Sequence, residues 1–412
     1  MLAHICALAG VLLFVAPAAA LDVVVVDESG GPGTDFTSIQ PAIDAASEGD
    51  VVVVRPGDYA GFTVTGKSLT VVGFPYATVF TPPVLEVRVG RSSVADLSNS
   101  QVFVVSGIDL TAGFVARDCD GEVLLNACVV GTVPILAQPT VLVERCTNFV
   151  LSGVSFGSPN PGALLNSSGQ VGLLVRDSTV HAFGTAVRGG TGQSPTFQSQ
   201  SPGKGGYGVL LERSQLRGDQ LWIEGGVGGP GLGACIGGKG GSGLGLDVGS
   251  SAEIADPTIV GGAGGPPGDA SPNCVQGPSG LPIQMAAGTQ LALFGKTTYP
   301  FFTAPVVSEG EPLWNIFATD CLNCPAFLLL SNRVAPLDLD LATGVLLGAP
   351  LVILPLGITD ADGWLFGTSF PTGNLPPGVD AVTLVKQLAV LRPDSTVNLT
   401  HPTHTTVLDS SF

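Results

Sequence analysis

A short charged motif recurs in the middle of the chain and constrains the fold more than any other feature. Two charged residues of opposite sign, followed by Cys or Ser, come after four apolar stretches, in the segments Arg117–Cys119, Glu144–Cys146, Arg176–Ser178 and Glu212–Ser214. The steps between these motifs are 27, 32 and 36 residues. A period of this size is typical of a solenoid, in which each repeat forms one coil and stacks on its neighbours.

The order of the charges predicts how the coils stack. The first motif position reads Arg, Glu, Arg, Glu, and the second reads Asp, Arg, Asp, Arg. Equivalent residues of stacked parallel strands lie about 4.8 Å apart, where opposite charges attract and like charges repel. The alternation therefore predicts a ladder of ion pairs along a parallel solenoid. The alternative use of Asp177, Glu212, Arg176 and Arg213 is catalysis in a groove, as in glycoside hydrolases and polysaccharide lyases.

The composition agrees with an all-β chain and excludes one class of partner. Charged residues make up only 12% of the chain, which also contains 58 Gly and 32 Pro. Long amphipathic helices need charged helix formers on their outer faces, so helical bundles are excluded. The formal net charge of −17 would repel a phosphate backbone, so nucleic acid is not an expected partner.

Three glycine-rich segments begin 36 residues apart, at Gly189, Gly225 and Gly261. The first two close on similar Gly-Lys-Gly-Gly sequences, which contain Lys204 and Lys239. Because their spacing equals one repeat, we expect three loops that leave the same corner of successive coils and pack side by side. Each lysine is followed by Gly rather than by Ser or Thr, so these loops are not phosphate-binding loops.

The loops have two interpretations. Long loops on one face of a solenoid often form its binding side, and Tyr207 and Trp222 lie near them with rings that could stack on a sugar. Together with Lys204 and Lys239, these aromatic residues are the candidate ligand-binding residues. The alternative is that glycine only allows the loops to pack tightly. No cofactor is expected, and calcium would be needed only by a lyase.

The first 20 residues contain no Lys, Arg, Asp or Glu, run apolar through Val11–Val15, and end in three alanines. This pattern predicts a signal peptide and a secreted or cell-surface protein with no membrane span. An oxidising compartment favours disulfides between the seven remaining cysteines. The candidate pairs are Cys119–Cys146 in neighbouring motifs, Cys235–Cys274 in neighbouring loops and Cys321–Cys324, which leaves Cys128 unpaired.

Two segments near the N-terminus carry a family resemblance. Residues 36–46 read Phe-Thr-Ser-Ile-Gln-Pro-Ala-Ile-Asp-Ala-Ala, with an apolar face at helical spacing. Residues 49–59 read Gly-Asp-Val-Val-Val-Val-Arg-Pro-Gly-Asp-Tyr. These segments resemble the N-terminal cap of the right-handed parallel β-helix proteins of the pectin-lyase-like superfamily. The resemblance implies the fold but no activity, because the superfamily includes lyases, hydrolases, esterases, epimerases and proteins with no known activity.

The predicted organisation is a signal peptide at residues 1–20, an N-terminal cap at 21–60, a right-handed parallel β-helix at 61–285 and a C-terminal domain at 286–412. Short apolar runs separated by Pro and Gly predict that the last domain is an antiparallel β-sandwich. Two functions fit this all-β architecture. The first is a non-catalytic protein that binds or organises extracellular material such as cell-surface polysaccharide. The second is a polysaccharide-active lyase, hydrolase or epimerase with a groove along the β-helix.

Overall fold

The structure is a computed structural model that describes residues 22–74, 87–131, 138–156, 168–194, 201–231, 236–268, 274–295, 301–303, 306–319, 321–331, 337–338, 342–343, 345–346, 352–361, 364–371, 375, 379–394, 396–400 and 402–410. The predicted signal peptide and Cys235 lie outside these residues. Within them the chain is a right-handed parallel β-helix followed by a mixed β domain. The described helix, Ile39–Ala45, has seven residues and is too short to cross a membrane.

Each coil of the β-helix has three faces, which we number in the order in which the chain passes through them. The first face contains Thr63–Thr65, Ser92–Ala95, the first parts of Phe114–Asn126 and Val141–Ser152, Leu173–Arg176, Val209–Glu212, Leu244–Leu246 and Ile283–Met285. The second face contains Val23–Val26, Val51–Val54, Leu69–Gly73, Val102–Ser106, the second parts of the two long strands, Thr179–Phe183, Gln215–Asp219, Ser251–Ala255 and Gln290–Phe294. The third face contains Gly57–Tyr59, Val87–Val89, Asp109–Leu110, Val129–Val130, Ser155–Phe156, Ala186–Arg188, Trp222–Glu224 and Thr258–Val260.

The repeated charged motif lies at the corner between the first and second faces. Its second residue adopts the left-handed conformation in every coil that carries it, with φ of 54° at Asp118, 53° at Arg145, 46° at Asp177 and 50° at Arg213. A residue in the left-handed conformation changes the direction of the backbone, and this conformation is uncommon for residues other than glycine. The four motifs therefore mark one turn of the coil, repeated along the stack.

The core runs along the inside of the coils. Strand residues alternate between the core and the outer surface, so that in the first face Val141, Leu173, Val209 and Leu244 are buried register partners. The N-terminal end of this core is covered by the short helix, whose Ile39, Ala42 and Ile43 are buried. The amphipathic spacing predicted this helix.

The C-terminal domain packs against the side of the β-helix. Its strands are Phe301–Thr303, Val306–Ser308, Pro312–Ala318, Pro325–Ser331, Leu337–Asp338, Ala342–Thr343, Val345–Leu346, Val352–Ile358, Trp364–Pro371, Ala381–Leu391, Val397–Leu399 and Thr403–Leu408. Leu329, Val385, Ala389 and Leu399 of this domain form one apolar cluster with outward residues of the second face, namely Val104, Leu124, Val150 and Phe183. The domain thus covers the second face of the early coils.

The β-helix is longer than the sequence predicted. Gln290–Phe294 pairs in parallel with Ser251–Ala255 and adds one more strand to the second face. The boundary at residue 285 was therefore wrong, because the apolar run that we assigned to the C-terminal domain belongs to the last coil. The other four apolar runs predicted for the C-terminal domain are strands. One of them, Trp364–Pro371, lies in an antiparallel three-stranded sheet, whereas the other three lie in a larger sheet with parallel as well as antiparallel pairs, which differs from the predicted antiparallel sandwich.

The cysteines differ from the predicted pattern at one pair. Cys119 and Cys146 are register partners on neighbouring coils, but both are buried free thiols, as is Cys128. Neighbouring parallel strands lie about 4.8 Å apart, whereas a disulfide needs Cβ atoms about 3.5–4.5 Å apart, which explains why stacked partners need not bond. The Cys321–Cys324 disulfide is present, and Cys274 is also disulfide-bonded.

Candidate functional site

The charged motifs form the predicted ladder of ion pairs. Arg145 bonds both carboxylate oxygens of Asp118, and Arg213 bonds both oxygens of Asp177, with nitrogen–oxygen distances of 2.5–2.9 Å. In the neighbouring column, Arg117 meets Glu144 at 3.1 Å and Arg176 meets Glu212 at 2.7 Å. These contacts follow from the register, since each pair joins adjacent coils.

This geometry bears on the four candidate catalytic residues, Asp177, Glu212, Arg176 and Arg213. The guanidinium of Arg213 holds the pKa of Asp177 below its usual range through its hydrogen bonds. A carboxylate in such a pair stays ionised at neutral pH, so it has no proton to donate to a glycosidic oxygen. The arrangement suits the alignment of neighbouring coils better than acid catalysis.

The glycine-rich segments form a two-layered projection between the third and first faces, which we call the glycine fin. Its outgoing arms are residues 189–194, 225–231 and 261–266, and its returning arms are 203–208, 237–243 and 277–282. Hydrogen bonds run alternately between the two layers: the N–H of Gly206 donates to Gly190 O at 2.8 Å, and the N–H of Gly226 donates to Gly206 O at 2.8 Å. The arms of different coils are therefore interleaved, which goes beyond the side-by-side packing predicted from their spacing.

Glycine is required where the arms meet. A Cβ added at Gly226 would overlap the backbone of Gly190, and one added at Gly241 would overlap Gly206. In the arms 225–231 and 237–243, non-glycine residues instead occur at every third position, as in polyproline II helices with three residues per turn. Val227 and Ala263 are exposed residues on neighbouring outgoing arms, joined by the bond from Gly228 N to Ala263 O at 2.9 Å.

The four candidate ligand-binding residues do not come together at one place. Lys204 and Lys239 are exposed on neighbouring returning arms, on one side of the glycine fin. Tyr207 is half-buried above Gly245, and its hydroxyl hydrogen-bonds Gln284 Oε1 at 3.1 Å, so its ring is engaged within the protein. Trp222 lies elsewhere, on the outer surface of the third face.

Trp222 belongs to a flat apolar surface that we call the platform. The strand Trp222–Glu224 continues directly into an outgoing arm, so the third face and the outgoing layer of the glycine fin form one surface. The platform comprises the exposed residues Trp222, Val227, Pro230, Val260, Ala263 and Pro266. An exposed apolar surface of this kind typically marks an interaction site.

The indole of Trp222 is 49% exposed in spite of its place in a regular sheet. Its register partners on the two neighbouring coils are the small residues Ala186 and Thr258, which leave the ring uncovered. Arg188 and Glu224 lie one outward position further along the same strands and form an ion pair at 3.1 Å. A rigid aromatic ring therefore stands next to charged hydrogen-bonding groups.

Sequence reasoning identified Trp222 but missed the other platform residues. Val227 and Ala263 occupy the third place of Gly-Gly-x triplets, and this three-residue period is the signal that would have placed them on the outside of an arm. The exposure of Val260 carries no comparable signal, because it depends on Thr258–Val260 being the last strand of the third face in the part of the chain that the structure describes.

A second ionisable group that sequence reasoning missed is Asp219, at the end of a strand of the second face. Its carboxyl is buried and neither oxygen has a hydrogen-bond partner. Burial and the nearby charge of Asp256 raise the pKa of Asp219 to about 7. Because both oxygens are shielded from solvent, a polymer on the surface does not reach them. Across the described residues, no group of His, Cys, Asp and Glu side chains is arranged to hold a metal ion.

Comparisons with known proteins add little to this description. No protein-family model matches the sequence, and no curated protein matches it. The enzymatically active domain of tailspike protein 2 from bacteriophage CBA120 aligns at a TM-score of 0.27 and 11% identity, over 95% of this chain and 72% of that one. Full-length tailspike protein 2 from Escherichia coli O157:H7 bacteriophage CAB120 aligns at 0.25 and 10%, over 92% of this chain and 63% of that one. The β-helix assignment therefore stands on the strand pairing itself.

Proposed function

We propose that this chain is a secreted, non-catalytic β-helix protein that binds extracellular polysaccharide through the platform. The observation that carries the proposal is the uncovered indole of Trp222 between Ala186 and Thr258. A sugar ring has an apolar face of C–H groups and a rim of hydroxyls. The indole offers a matching apolar surface, and the pair Arg188–Glu224 offers donors and an acceptor for the hydroxyls.

The charge of the protein selects between classes of polysaccharide. With a formal net charge of −17, the chain repels a polyuronate or a sulfated polymer at long range. The charged side chains that lie beside Trp222 and Val260 on this surface, Arg188 and Glu224, form an ion pair with each other. A neutral glycan is therefore the ligand class that fits best.

The N-terminal segments and the first 20 residues support the remaining parts of the proposal. The segments at 36–46 and 49–59 support membership of the pectin-lyase-like superfamily, and the apolar leader supports export from the cytoplasm. The ion-paired state of Asp177 and Glu212 favours binding over the lyase or hydrolase alternative.

Affinity electrophoresis tests the proposal. It measures binding of the protein to a panel of neutral polysaccharides, such as glucans, xylans and mannans. We expect Trp222→Ala to weaken binding at least tenfold, because the stacking surface is lost, and Trp222→Phe to weaken it only a few-fold. Val248→Ala is the matched control, since Val248 is exposed at a corner remote from the platform.

Two outcomes would overturn the proposal. The first is binding that Trp222→Ala leaves unchanged, and the second is no binding to any polymer of the panel. Release of reducing or unsaturated ends, assayed on the same polymers with and without calcium, would favour the enzymatic alternative instead.

A further inference from the structure

The C-terminal end of the β-helix is an open sheet edge. Among the described strands, Ile283–Met285 pairs only with Leu244–Leu246, and Gln290–Phe294 pairs only with Ser251–Ala255. The backbone N–H and C=O groups on their other side have no partner strand among the described residues. An edge of this kind is a ready template for pairing with another chain.

The same end leaves core side chains partly uncovered. Ile254 faces the core and is 0% exposed, whereas its register partner in the last coil, Leu293, is 47% exposed. Leu246 is 3% exposed, and its partner Met285 is 45% exposed. The apolar interior of the solenoid therefore reaches the surface here, because no further coil covers it.

The strands of the last coil also carry no charged side chain, and the nearest charged residues in the sequence are Asp269 and Lys296. Residues 257–268 and 274–295 contain no Asp, Glu, Lys, Arg or His, although the chain as a whole has a formal net charge of −17. The preceding coil still carries Asp247, Glu253 and Asp256. Two copies of an acidic protein repel each other over most of their surfaces. At this end, two copies can meet without bringing the like charges of their strands together.

The opposite end of the β-helix does not fit this surface. It is covered by Ile39–Ala45, whose Asp44 is exposed. The terminal strand Val23–Val26 is bonded on its outer side by residues 35 and 36, and Thr63 is bonded by the side chain of Gln40. These strand edges are therefore already occupied, which disfavours a head-to-tail stack of copies. The uncapped end can be matched only by the same end of another copy, which requires a two-fold axis and makes the interface isologous.

We propose that two copies of this chain associate end to end through the last coil. Around a two-fold axis, Gln290–Phe294 of one copy runs antiparallel to the same strand of the other, which satisfies the open edge of both. Leu293 and Met285 of each copy are then covered by the other copy. The contact is independent of the platform, so it does not rest on glycan binding.

Sedimentation-velocity ultracentrifugation over a range of concentrations tests the proposal. We expect a dimer for the parent chain and a monomer for Leu293→Lys, in which two like charges would face each other across the axis. Leu293 is half exposed in the isolated chain, so the variant should fold, and circular dichroism checks this. Ile358→Lys is the matched control, since Ile358 is an apolar residue on the C-terminal domain that is even more exposed than Leu293.

A cysteine placed in the edge strand tests the antiparallel arrangement. Ala292 is the central residue of Gln290–Phe294, so Ala292→Cys should give a disulfide-linked dimer under mild oxidation, while the native thiols at 119, 128 and 146 are buried. A parent chain that stays monomeric, or a dimer that Leu293→Lys leaves intact, would overturn the proposal. A dimer that is not cross-linked at residue 292 would contradict the two-fold strand pairing.

Discussion

Asp219 shows how one residue can make the stability of this protein depend on pH. The N–H of Gln220 is bonded to Ala255 O at 3.0 Å, so it compensates the charge of the buried Asp219 carboxyl only in part. Burial and Asp256 therefore raise the pKa of Asp219 to about 7. Between the usual pKa of an aspartate and 7, the unfolded chain releases this proton while the folded chain keeps it, so the free energy of unfolding falls as pH rises.

We expect Asp219→Asn to remove this dependence. For a pKa of about 7 in the folded state, Asp219 alone lowers the free energy of unfolding by about 3 kcal/mol between pH 5 and pH 8. Urea unfolding at the two pH values measures the difference for the parent chain and for the variant. The assignment is wrong if the two chains lose the same stability over this interval. Asp247→Asn, at an exposed position, is the control.

The charged ladder could be predicted residue by residue, whereas Asp219 could not. The alternating charges at Arg117, Glu144, Arg176 and Glu212 indicate which residues are register partners, because this alternation places opposite charges next to each other only when the coils stack in that register. The pKa of Asp219 instead depends on burial by residues that are distant in sequence. Nothing in its neighbours along the chain signals that burial.

At the scale of elements, the glycine fin is held together by backbone contacts that leave no space for side chains. Gly226 lies between arms of its own coil and of the preceding coil, with its N–H bonded to Gly206 O at 2.8 Å and its carbonyl bonded by Gly241 N at 2.7 Å. The sequence predicted adjacent loops from their 36-residue step. It did not reveal the interleaving, since each arm bonds the opposite layer as well as the next identical segment.

We expect Gly226→Ala to lower the stability of the protein by about 3 kcal/mol or more, because the new Cβ would overlap the Gly190 backbone and separate two arms. Thermal unfolding followed by circular dichroism measures the change. Gly295→Ala is the matched control, since an added Cβ there meets no atom within 4 Å, and it should leave the melting temperature unchanged. An equally stable Gly226→Ala would show that the arms are not closely packed.

At the scale of the whole molecule, the C-terminal domain is joined to the β-helix by an interface that contains a buried histidine. His404 lies on Thr403–Leu408, and its backbone carbonyl accepts a hydrogen bond from Asn126 of the second face at 3.4 Å. Burial, together with the nearby Lys386, lowers the pKa of His404 to about 3. The folded protein therefore keeps this imidazole neutral at pH values where the unfolded chain would protonate it.

We expect acid to weaken this interface. Because the unfolded chain binds a proton at His404 below about pH 6.5 and the folded chain does not, His404 alone lowers the free energy of unfolding by about 3 kcal/mol between pH 7 and pH 4. Between pH 7 and pH 4, the free energy of unfolding measured in urea should fall by about 3 kcal/mol less for His404→Gln than for the parent chain. Asp219 has the opposite slope over this interval, so the two variants should diverge from the parent in opposite directions. Equal acid losses in His404→Gln and the parent would contradict the prediction.

The interleaving of the glycine fin also limits how this protein can change in length during evolution. The arms 225–231 and 237–243 each lie against arms of neighbouring coils, and their non-glycine residues occur only at every third position. One extra residue within an arm would direct a side chain into the neighbouring layer. The fin can therefore grow outward only by three residues in an outgoing arm together with three in its returning arm, while other insertions are confined to the tips between them.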